Sequence, residues 1–281
     1  MHPFDQALAL APQADGNWLG TTSPAWQNMV GPFGGITAAL LTQAVVQHPQ
    51  CLGAPVSLTI NYAAGLEPGP FSVWLRAART NRSTQHWVLE ITQSQADGTA
   101  HTIITGTAMT AARRDTWSVN DTPMPAVPPP EQLPRGYAPL DLAWLARYDM
   151  RVVRGDMPSD VSAAEPSHDS TTAPEHASLT QLWVRDEPAR PLDYASLAAM
   201  SDIFYPRVWL RRPQRVAAGT VSLTVYFHAD ARHLALAGQG YLLCQARAQA
   251  FRNGFFDHTG QLWSQGGELL ATTHQLVYYK E

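Results

Sequence analysis

The alternation of hydrophobic and polar residues predicts two groups of β-strands. Segments with period-two alternation, or rich in β-branched and aromatic residues, are typical of antiparallel strands. In the first half they are 56–64, 71–79, 86–95 and 101–111, with turns at Pro68-Gly69-Pro70 and Asp97-Gly98. In the second half they are 147–153, 179–185, 219–229, 241–251, 261–265 and 268–279, with a hairpin turn at Gly266-Gly267.

Each half also contains one segment with helical periodicity. Small residues recur there at the spacing i, i+3, i+4, which places them on one helical face. These faces are Gly35, Ala38, Ala39 and Thr42 in the first half, and Ala195, Ala198, Ala199 and Asp202 in the second, 160 residues later. Segments 58–64 and 223–229 share Leu, Thr and Ala at an offset of 165. The pattern predicts a duplicated unit, in which a twisted antiparallel sheet wraps a helix with a small-residue face.

A proline-rich stretch separates the two units. Seven prolines between residues 114 and 139 exclude a helix or a sheet interior and favour an extended connector. We therefore predict an N-terminal domain at 1–113, a linker at 114–139 and a C-terminal domain at 140–281. Residues 155–178 are polar and acidic, which predicts a mobile surface loop within the second domain.

Composition excludes several classes of protein. With 45% hydrophobic and 15% charged residues, the 281-residue chain can bury two cores. The net charge of -4 predicts no strong attraction to nucleic acid or to an anionic membrane. No apolar run approaches the length of about 20 residues that a membrane span needs. The start of the chain does not resemble a secretory signal, and Cys51 and Cys244 lie far apart, so we expect reduced thiols in the cytoplasm.

The sequence lacks the usual motifs of several enzyme classes. It contains no GxSxG, GxxxxGK, HExxH or CxxC motif, which leaves serine hydrolase, P-loop and zinc readings unsupported. His228 and His274 lie in strand patterns and are expected to be ordinary strand residues. We predict no metal and no other cofactor.

Asp202 is the most informative carboxylate. It closes the second helical segment shortly before Pro206, where the helix dipole disfavours a negative charge, whereas Asp193 occupies the favourable N-cap position. On pattern alone, a solvated residue at the helix end is an equally open interpretation. No Asp or Glu occurs between residues 16 and 66, so the first helix has no matching carboxylate. Acid–base chemistry is therefore expected in the second half of the chain only.

Three separated segments resemble the double-hotdog acyl-CoA thioesterases of the thioesterase II type. They are 201–204, 219–228 and 260–275, and the segment 31–45 resembles the first hotdog helix of that family. The resemblance implies an α+β fold of two tandem hotdogs, each an antiparallel sheet around a central helix. It also implies that Asp202, Thr220 and Gln275 hold the hydrolytic water. Taken alone, Thr220 would be an ordinary strand residue and Gln275 an outward polar one.

Those residue types suit thioester hydrolysis. The thiol leaving group has a pKa of about 8.5, so hydrolysis needs mainly an oriented water, a base and a donor to the carbonyl oxygen. Asp202 would accept the proton, while Thr220 and Gln275 would fix the water. Backbone amides of Gly34 and Gly35 at the helix start are candidate substrate-binding donors. Tight packing of the helix entry would explain these glycines equally well.

The predicted substrate is a fatty or aromatic acyl-CoA, with the acyl chain beside the small helical faces. Candidate wall residues are Trp26, Phe33, Met200, Phe204 and Tyr205, and candidate contacts to the coenzyme A phosphates are Arg76, Arg79, Arg82, Arg211 and Arg212. The resemblance also implies a homo-oligomer. Two alternatives stay open, namely a non-catalytic acyl-CoA or acyl-carrier binding protein and a hotdog dehydratase or hydratase. The latter needs a histidine beside a carboxylate, and neither helical segment supplies that histidine.

Overall fold

A computed structural model describes residues 1–14, 16–94, 98–136, 142–155, 178–212 and 216–280. Apart from its two end residues, the predicted loop 155–178 lies outside these ranges. The helices are α1 (Pro3–Ala7), α2 (Gly34–Gln47), α3 (Tyr194–Met200), α4 (Arg207–Arg211) and α5 (Ala231–Ala237). The strands are β1 (Ala11–Pro12), β2 (Trp18–Thr21), β3 (Ala54–Tyr62), β4 (Pro70–Thr80), β5 (Thr84–Ser94), β6 (Ala100–Ala111), β7 (Tyr148–Arg154), β8 (Thr180–Asp186), β9 (Ala218–Phe227), β10 (Leu242–Arg252), β11 (Phe255–Ser264) and β12 (Leu269–Tyr279).

All twelve strands belong to one antiparallel sheet. Their order is β1-β2-β4-β5-β6-β3-β9-β12-β11-β10-β8-β7, so the second half repeats the first in mirrored order. This differs from the two sheets that we predicted, because β3 of the first half pairs directly with β9 of the second. Two hotdog-like units thus share a continuous sheet.

The pairing of β3 with β9 reveals the symmetry of the duplication. Thr59 lies opposite Thr224, and their hydroxyl oxygens are 3.1 Å apart. These two residues are 165 positions apart, which is the offset of the internal sequence match. Each threonine therefore faces its own counterpart, and an approximate two-fold axis passes between them.

The small-residue faces bring α2 and α3 into contact. A Cβ atom on Gly35 would lie 2.5 Å from the carbonyl oxygen of Ala199 and 2.4 Å from the ring of Phe33. Ala38 and Ala199 are completely buried. The absence of a side chain at Gly35 thus lets the start of α2 approach the end of α3.

Helix α3 ends earlier than its sequence pattern predicts. Its first residue is capped as expected, because the side chain of Asp193 accepts a hydrogen bond from the Ser196 amide at 2.7 Å. Beyond Met200 the chain tightens, and the Asp202 amide donates to the Ala199 carbonyl at 3.1 Å, three residues back. Pro206 restricts the backbone just downstream. Asp202 consequently lies in a turn after the helix.

The pattern also missed several elements. Strands β1 and β2 and helices α1, α4 and α5 are short, and β11 begins at Phe255 although only 261–265 was predicted. The turn before β11 is Asn253-Gly254, where both residues have positive φ, of 54° and 74°. An Asn-Gly pair between apolar runs is a strong hairpin signal, and it marks the true start of the strand.

Part of the proline-rich segment packs against the second half. The indole nitrogen of Trp183 donates to the Pro128 carbonyl at 2.9 Å, and that of Trp263 donates to the Thr122 carbonyl at 3.2 Å. Met124, Val127 and Leu133 pack against the same aromatic cluster. Within the described ranges, no helix is long and apolar enough to cross a membrane.

Candidate functional site

A cavity of ≈ 350 Å³ lies beside the start of α2 and the turn after α3. Residues of both halves form its wall. The first half contributes Phe33, Gly34, Thr37 and Tyr62, among others, and the second contributes Asp202, Phe204, Thr220, His258 and Gln275. The cavity therefore spans the junction between the two duplicated units.

Three predicted site residues form a chain of hydrogen bonds on this wall. The amide nitrogen of Gln275 donates to Oδ1 of Asp202 at 2.8 Å, and the Thr220 hydroxyl donates to the amide oxygen of Gln275 at 3.2 Å. Gln275 is 3% exposed and Asp202 is 9% exposed. The structure thus excludes an outward Gln275 and a solvated Asp202, the two alternatives left open by the sequence.

A bulge in β9 places Thr220 in this chain. The register of β9 against β12 shifts between Leu276 and Val277, so that Val221 is an extra residue. An extra residue reverses the alternation beyond it, and Thr220 therefore faces the same side as Leu223. Regular alternation would have turned Thr220 away from Gln275.

The first half holds Asp202 in position through backbone groups. The backbone amide of Gly35 interacts with the Asp202 carboxylate and lowers the pKa of that carboxyl group. A Cβ atom on Gly34 would lie 2.7 Å from Oδ2 of Asp202. The Tyr62 hydroxyl donates to the Gly34 carbonyl at 2.8 Å and fixes the entry to the helix.

Burial gives Asp202 an unusual acidity. It raises the pKa of this carboxyl to about 7, although the hydrogen bonds from Gln275 and Gly35 act in the opposite direction. The pKa of Tyr62 is raised well above its ordinary value, first by burial and then by the charge of Asp202. At neutral pH, Asp202 therefore exists both as a carboxylate and as an acid.

The wall matches the predicted substrate contacts only in part. Phe33, Phe204 and Tyr205 line the cavity, and Phe33 stacks on Trp144 with ring centroids 4.1 Å apart. Trp26 and Met200 lie in the protein core, which corrects their assignment to this wall. As far as the chain is described, none of the five predicted arginines lines the cavity.

His258 is a cavity residue that sequence reasoning missed. It lies on β11 directly opposite Gln275 and is 2% exposed. Within the described ranges, neither ring nitrogen has a hydrogen-bond partner. Burial, reinforced by the charge of Arg207, lowers the pKa of His258 well below its ordinary value, so the ring is neutral. The sequence did contain a signal for this position. The hairpin turn at Asn253-Gly254 predicts that β11 starts directly after it, which would include His258 in the strand.

The first half does not repeat this site. The helix offset of 160 residues relates Asp202 to Thr42. The matching strand registers of the two halves relate Thr220 to Pro55, Gln275 to Ala108 and His258 to Trp87. The Thr42 hydroxyl donates to the Ala38 carbonyl at 2.8 Å within its own helix. Trp87 fills the corresponding space and is 1% exposed. The site is one-sided, as the carboxylate-free run predicts.

The described ranges contain no cluster of three or more His, Cys, Asp or Glu side chains that could hold a metal ion. Among the described residues, the polar side chains on the cavity wall include the carboxyl group of Asp202 and the imidazole of His258, together with several hydroxyl and amide groups.

Family profiles match nearly the whole chain. The profile of the acyl-CoA thioesterase N-terminal domain matches residues 22–111, and that of the C-terminal domain matches residues 121–279. The chain therefore belongs to the acyl-CoA thioesterase family. No curated protein sequence matches it.

Solved structures show the same fold. A hot dog fold protein of unknown function from Alicyclobacillus acidocaldarius is 44% identical, with a TM-score of 0.88 over 100% of this chain and 99% of that one. An acyl-CoA thioesterase II from Mycobacterium marinum is 21% identical, with a TM-score of 0.74 over 99% and 98% of the two chains. A dehydratase domain from Pseudomonas fluorescens is 14% identical, with a TM-score of 0.53 over 100% and 99%. The fold alone thus does not separate a thioesterase from a dehydratase.

Proposed function

We propose that this protein hydrolyses acyl-CoA thioesters to a free acid and coenzyme A. The observation that carries the proposal is the hydrogen-bonded chain of Thr220, Gln275 and Asp202, the last two of them buried, on the wall of a largely apolar cavity. Family membership supports a hydrolase, and the polar chain is the part of the cavity that can orient a water molecule. Asp202, with a pKa of about 7, is suited to take up a proton at neutral pH.

In the proposed mechanism, water attacks the thioester carbonyl carbon directly. The Asp202 carboxylate accepts the proton of the attacking water, and the Gln275 amide and Thr220 hydroxyl fix its orientation. The Gly34 amide at the start of α2 donates to the developing oxyanion. The tetrahedral intermediate then expels the coenzyme A thiolate, which leaves without a strong general acid. No covalent intermediate and no cofactor take part.

The acyl group is proposed to lie against Phe33 and Phe204, with the nucleotide of coenzyme A outside the cavity. A hydrophobic wall with a few polar groups at one end is typical of a site for an apolar ligand with one reactive polar group. We further propose that the protein works in the cytoplasm as a homo-oligomer. The two free cysteines, Cys51 and Cys244, are compatible with a reducing compartment.

The direct test removes the proposed base. We expect Asp202→Asn to lower kcat/KM for acyl-CoA hydrolysis by about two orders of magnitude, measured as thiol release. The matched control is Asp257→Asn, because Asp257 is a carboxylate on the opposite face of β11 and contacts His274. Near-normal turnover by Asp202→Asn, or an equal loss in Asp257→Asn, would contradict the role of Asp202.

One observation favours a second candidate, a dehydratase or hydratase. Such an enzyme pairs a histidine with a carboxyl group, and His258 lines the same cavity as Asp202. Incubation with a 3-hydroxyacyl-CoA separates the two reactions. A dehydratase forms a conjugated enoyl thioester, seen as a rise in ultraviolet absorbance without thiol release, whereas a thioesterase releases thiol. Binding with neither product would identify a non-catalytic acyl-CoA binding protein.

A further inference from the structure

We infer that His258 recognises a hydrogen-bonding substituent on the acyl group, a hydroxyl or an oxo group close to the thioester. This inference rests on the proposed function and adds a substrate class to it. Its starting point is an imidazole that is 2% exposed, lines the cavity and, in the part of the chain that the structure describes, has no partner at either ring nitrogen. A buried polar group in a folded protein is normally hydrogen-bonded.

The packing around His258 leaves its polar atoms to the cavity. The ring of Phe204 meets the imidazole edge to face with centroids 5.7 Å apart, and Phe256 stacks on it at 6.5 Å. Both contacts are with aromatic carbon, which satisfies neither nitrogen. The hydroxyl of Thr273, which is also buried, likewise lacks a partner among the described residues. Thr273 is on the inner face of β12 beside Gln275, so the unpartnered atoms lie next to the proposed water-binding chain.

Trp87, the counterpart of His258 in the first half, shows how a side chain with a structural role is bonded at this position. Trp87 occupies the position of His258 in the duplicated unit, and its indole nitrogen donates to the Thr110 hydroxyl at 3.3 Å. Its ring also packs against His48 with centroids 4.9 Å apart. In the first half the polar atom is therefore used inside the protein. In the second half the ring lines the cavity, and the described residues supply no partner to either of its nitrogens.

The chemistry of the ring selects the substituent. A neutral imidazole offers one N–H donor and one acceptor nitrogen. A hydroxyl group can use either, and an oxo group can use the donor. A methylene group can use neither, so a plain alkyl chain leaves both nitrogens unpartnered. Burial, and then the nearby positive charge of Arg207, lower the pKa of the ring and disfavour its protonation, which keeps both functions present.

The sheet register sets where the substituent lies. His258 and Gln275 are directly opposed on β11 and β12. Their Cβ atoms are therefore about 5 Å apart, as in any opposed antiparallel pair. Because Gln275 marks the position of the attacking water, a substituent near His258 is a few bonds from the thioester carbonyl. The fitting substrates are 3-hydroxyacyl-CoA and 3-oxoacyl-CoA thioesters.

The test compares two substrates of equal length, octanoyl-CoA and the separate enantiomers of 3-hydroxyoctanoyl-CoA. For the wild-type protein we expect kcat/KM to favour one 3-hydroxy enantiomer over octanoyl-CoA by about tenfold or more, since an unpartnered buried group penalises the substrate lacking the hydroxyl. His258→Phe should bring that ratio close to one. His258→Gln, which retains a donor and an acceptor, should keep part of the preference. His274→Phe, on the outer face of β12, is the control and should keep the wild-type ratio.

Two results would overturn the inference. One is a wild-type ratio near one, which would mean that the ring holds only water. The other is a preference for the hydroxyl that His258→Phe leaves intact. If the wild-type protein releases no thiol from either substrate, the proposed function fails instead. Calorimetric binding of the same thioesters then tests His258 separately, through the same ratio expressed in Kd.

Discussion

The acidity of one carboxyl group governs the chemistry proposed for this site. Asp202 is removed from water but accepts hydrogen bonds from a side-chain amide and a backbone amide. Burial favours the neutral acid, and the two hydrogen bonds favour the carboxylate. Burial is the larger effect, so the pKa rises to about 7. A base with this pKa combines ready proton uptake with a substantial ionised fraction at neutral pH.

The pH dependence of hydrolysis should report this residue. Only the ionised form of Asp202 can accept a proton, so kcat/KM is expected to rise from pH 5 to pH 8 with an inflection near the pKa of about 7. Thiol release at saturating and subsaturating acyl-CoA across this range provides the measurement. The residual activity of Asp202→Asn should show no such inflection. A wild-type profile that is flat between pH 5 and 8 would contradict a base with this pKa.

The same carboxyl group should make the protein less stable as pH rises. The ordinary pKa of this carboxyl group is 3.8, and in the folded protein its pKa is about 7. At a pH between these two values, the folded state therefore binds more protons than the unfolded state. The free energy of unfolding therefore falls from about pH 4 to about pH 7. Each pKa unit corresponds to about 1.4 kcal/mol, which makes the expected fall several kcal/mol.

Thermal or urea unfolding at a series of pH values measures this effect. Asp186, whose pKa burial raises to about 6, acts in the same direction, so the wild-type curve contains both contributions. The informative quantity is the difference between wild type and Asp202→Asn. The variant should be the less pH-sensitive of the two. Parallel curves would show that Asp202 does not change its proton affinity on folding.

The sequence predicted three polar residues that the structure brings together, but not all of their geometry. Asp202, Thr220 and Gln275 were predicted from residue types in a family order, and the structure brings them within hydrogen-bonding distance. The bulge at Val221 was not predictable, because a bulge is a property of pairing between strands. His258 was missed since its strand was predicted to begin three residues after it.

Among the elements, the contact between α2 and α3 makes the greatest demand on residue size. It places the start of one helix against the carbonyl end of the other, and glycine and alanine provide the space. The periodicity of small residues predicted these faces. It did not show that each face would pack against the other helix, because the same spacing also suits contact with a sheet.

Adding one methyl group at this contact should destabilise the protein. In Gly35→Ala the new Cβ would lie 2.5 Å from the Ala199 carbonyl oxygen, so the helices must separate slightly. Overpacking of this kind costs about 1–3 kcal/mol, which chemical denaturation can measure. Gly266→Ala is the control, since its new Cβ has no neighbour closer than 3.6 Å. Equal stability of the two variants would argue against a tight helix contact.

Prediction of elements succeeded where a long pattern was bounded by turns. The strands β3 to β6 and β12 were predicted close to their observed bounds. Short elements such as β2 and α4 were not predicted, because a few residues hold too little of either period to distinguish helix from strand. Their stability comes from the tertiary contacts around them.

At the scale of the molecule, the two units are joined through their central strands. β3 and β9 each bring one edge to the junction, and pairing them removes both edges from solvent. Alternation along a strand is the same whether its neighbour belongs to its own unit or to the other. The sequence therefore predicted the duplication but not the single sheet.

Exposed apolar residues on the outer face of the second half bear on the proposed homo-oligomer. Phe255, Leu276 and Tyr278 are each about two-fifths exposed, and the rings of Phe255 and Tyr278 meet with centroids 5.4 Å apart. An apolar patch of this kind favours association. We expect size-exclusion chromatography with light scattering to give a mass above that of one chain, and Leu276→Asp to shift it toward one chain. Leu236→Asp, at another exposed leucine, should leave the mass unchanged, and a monomeric wild-type protein would contradict the prediction.

The interaction of the Gly35 amide with Asp202 crosses from one duplicated unit to the other. A gene duplication usually frees one copy to change while the other keeps the original task. Here the half that has no counterpart of Asp202 still contacts its carboxylate through the start of α2, so a substitution that moves this helix is expected to shift a group 167 residues further along the chain. We therefore expect substitutions in the two copies to be coupled, although only one copy carries the proposed base.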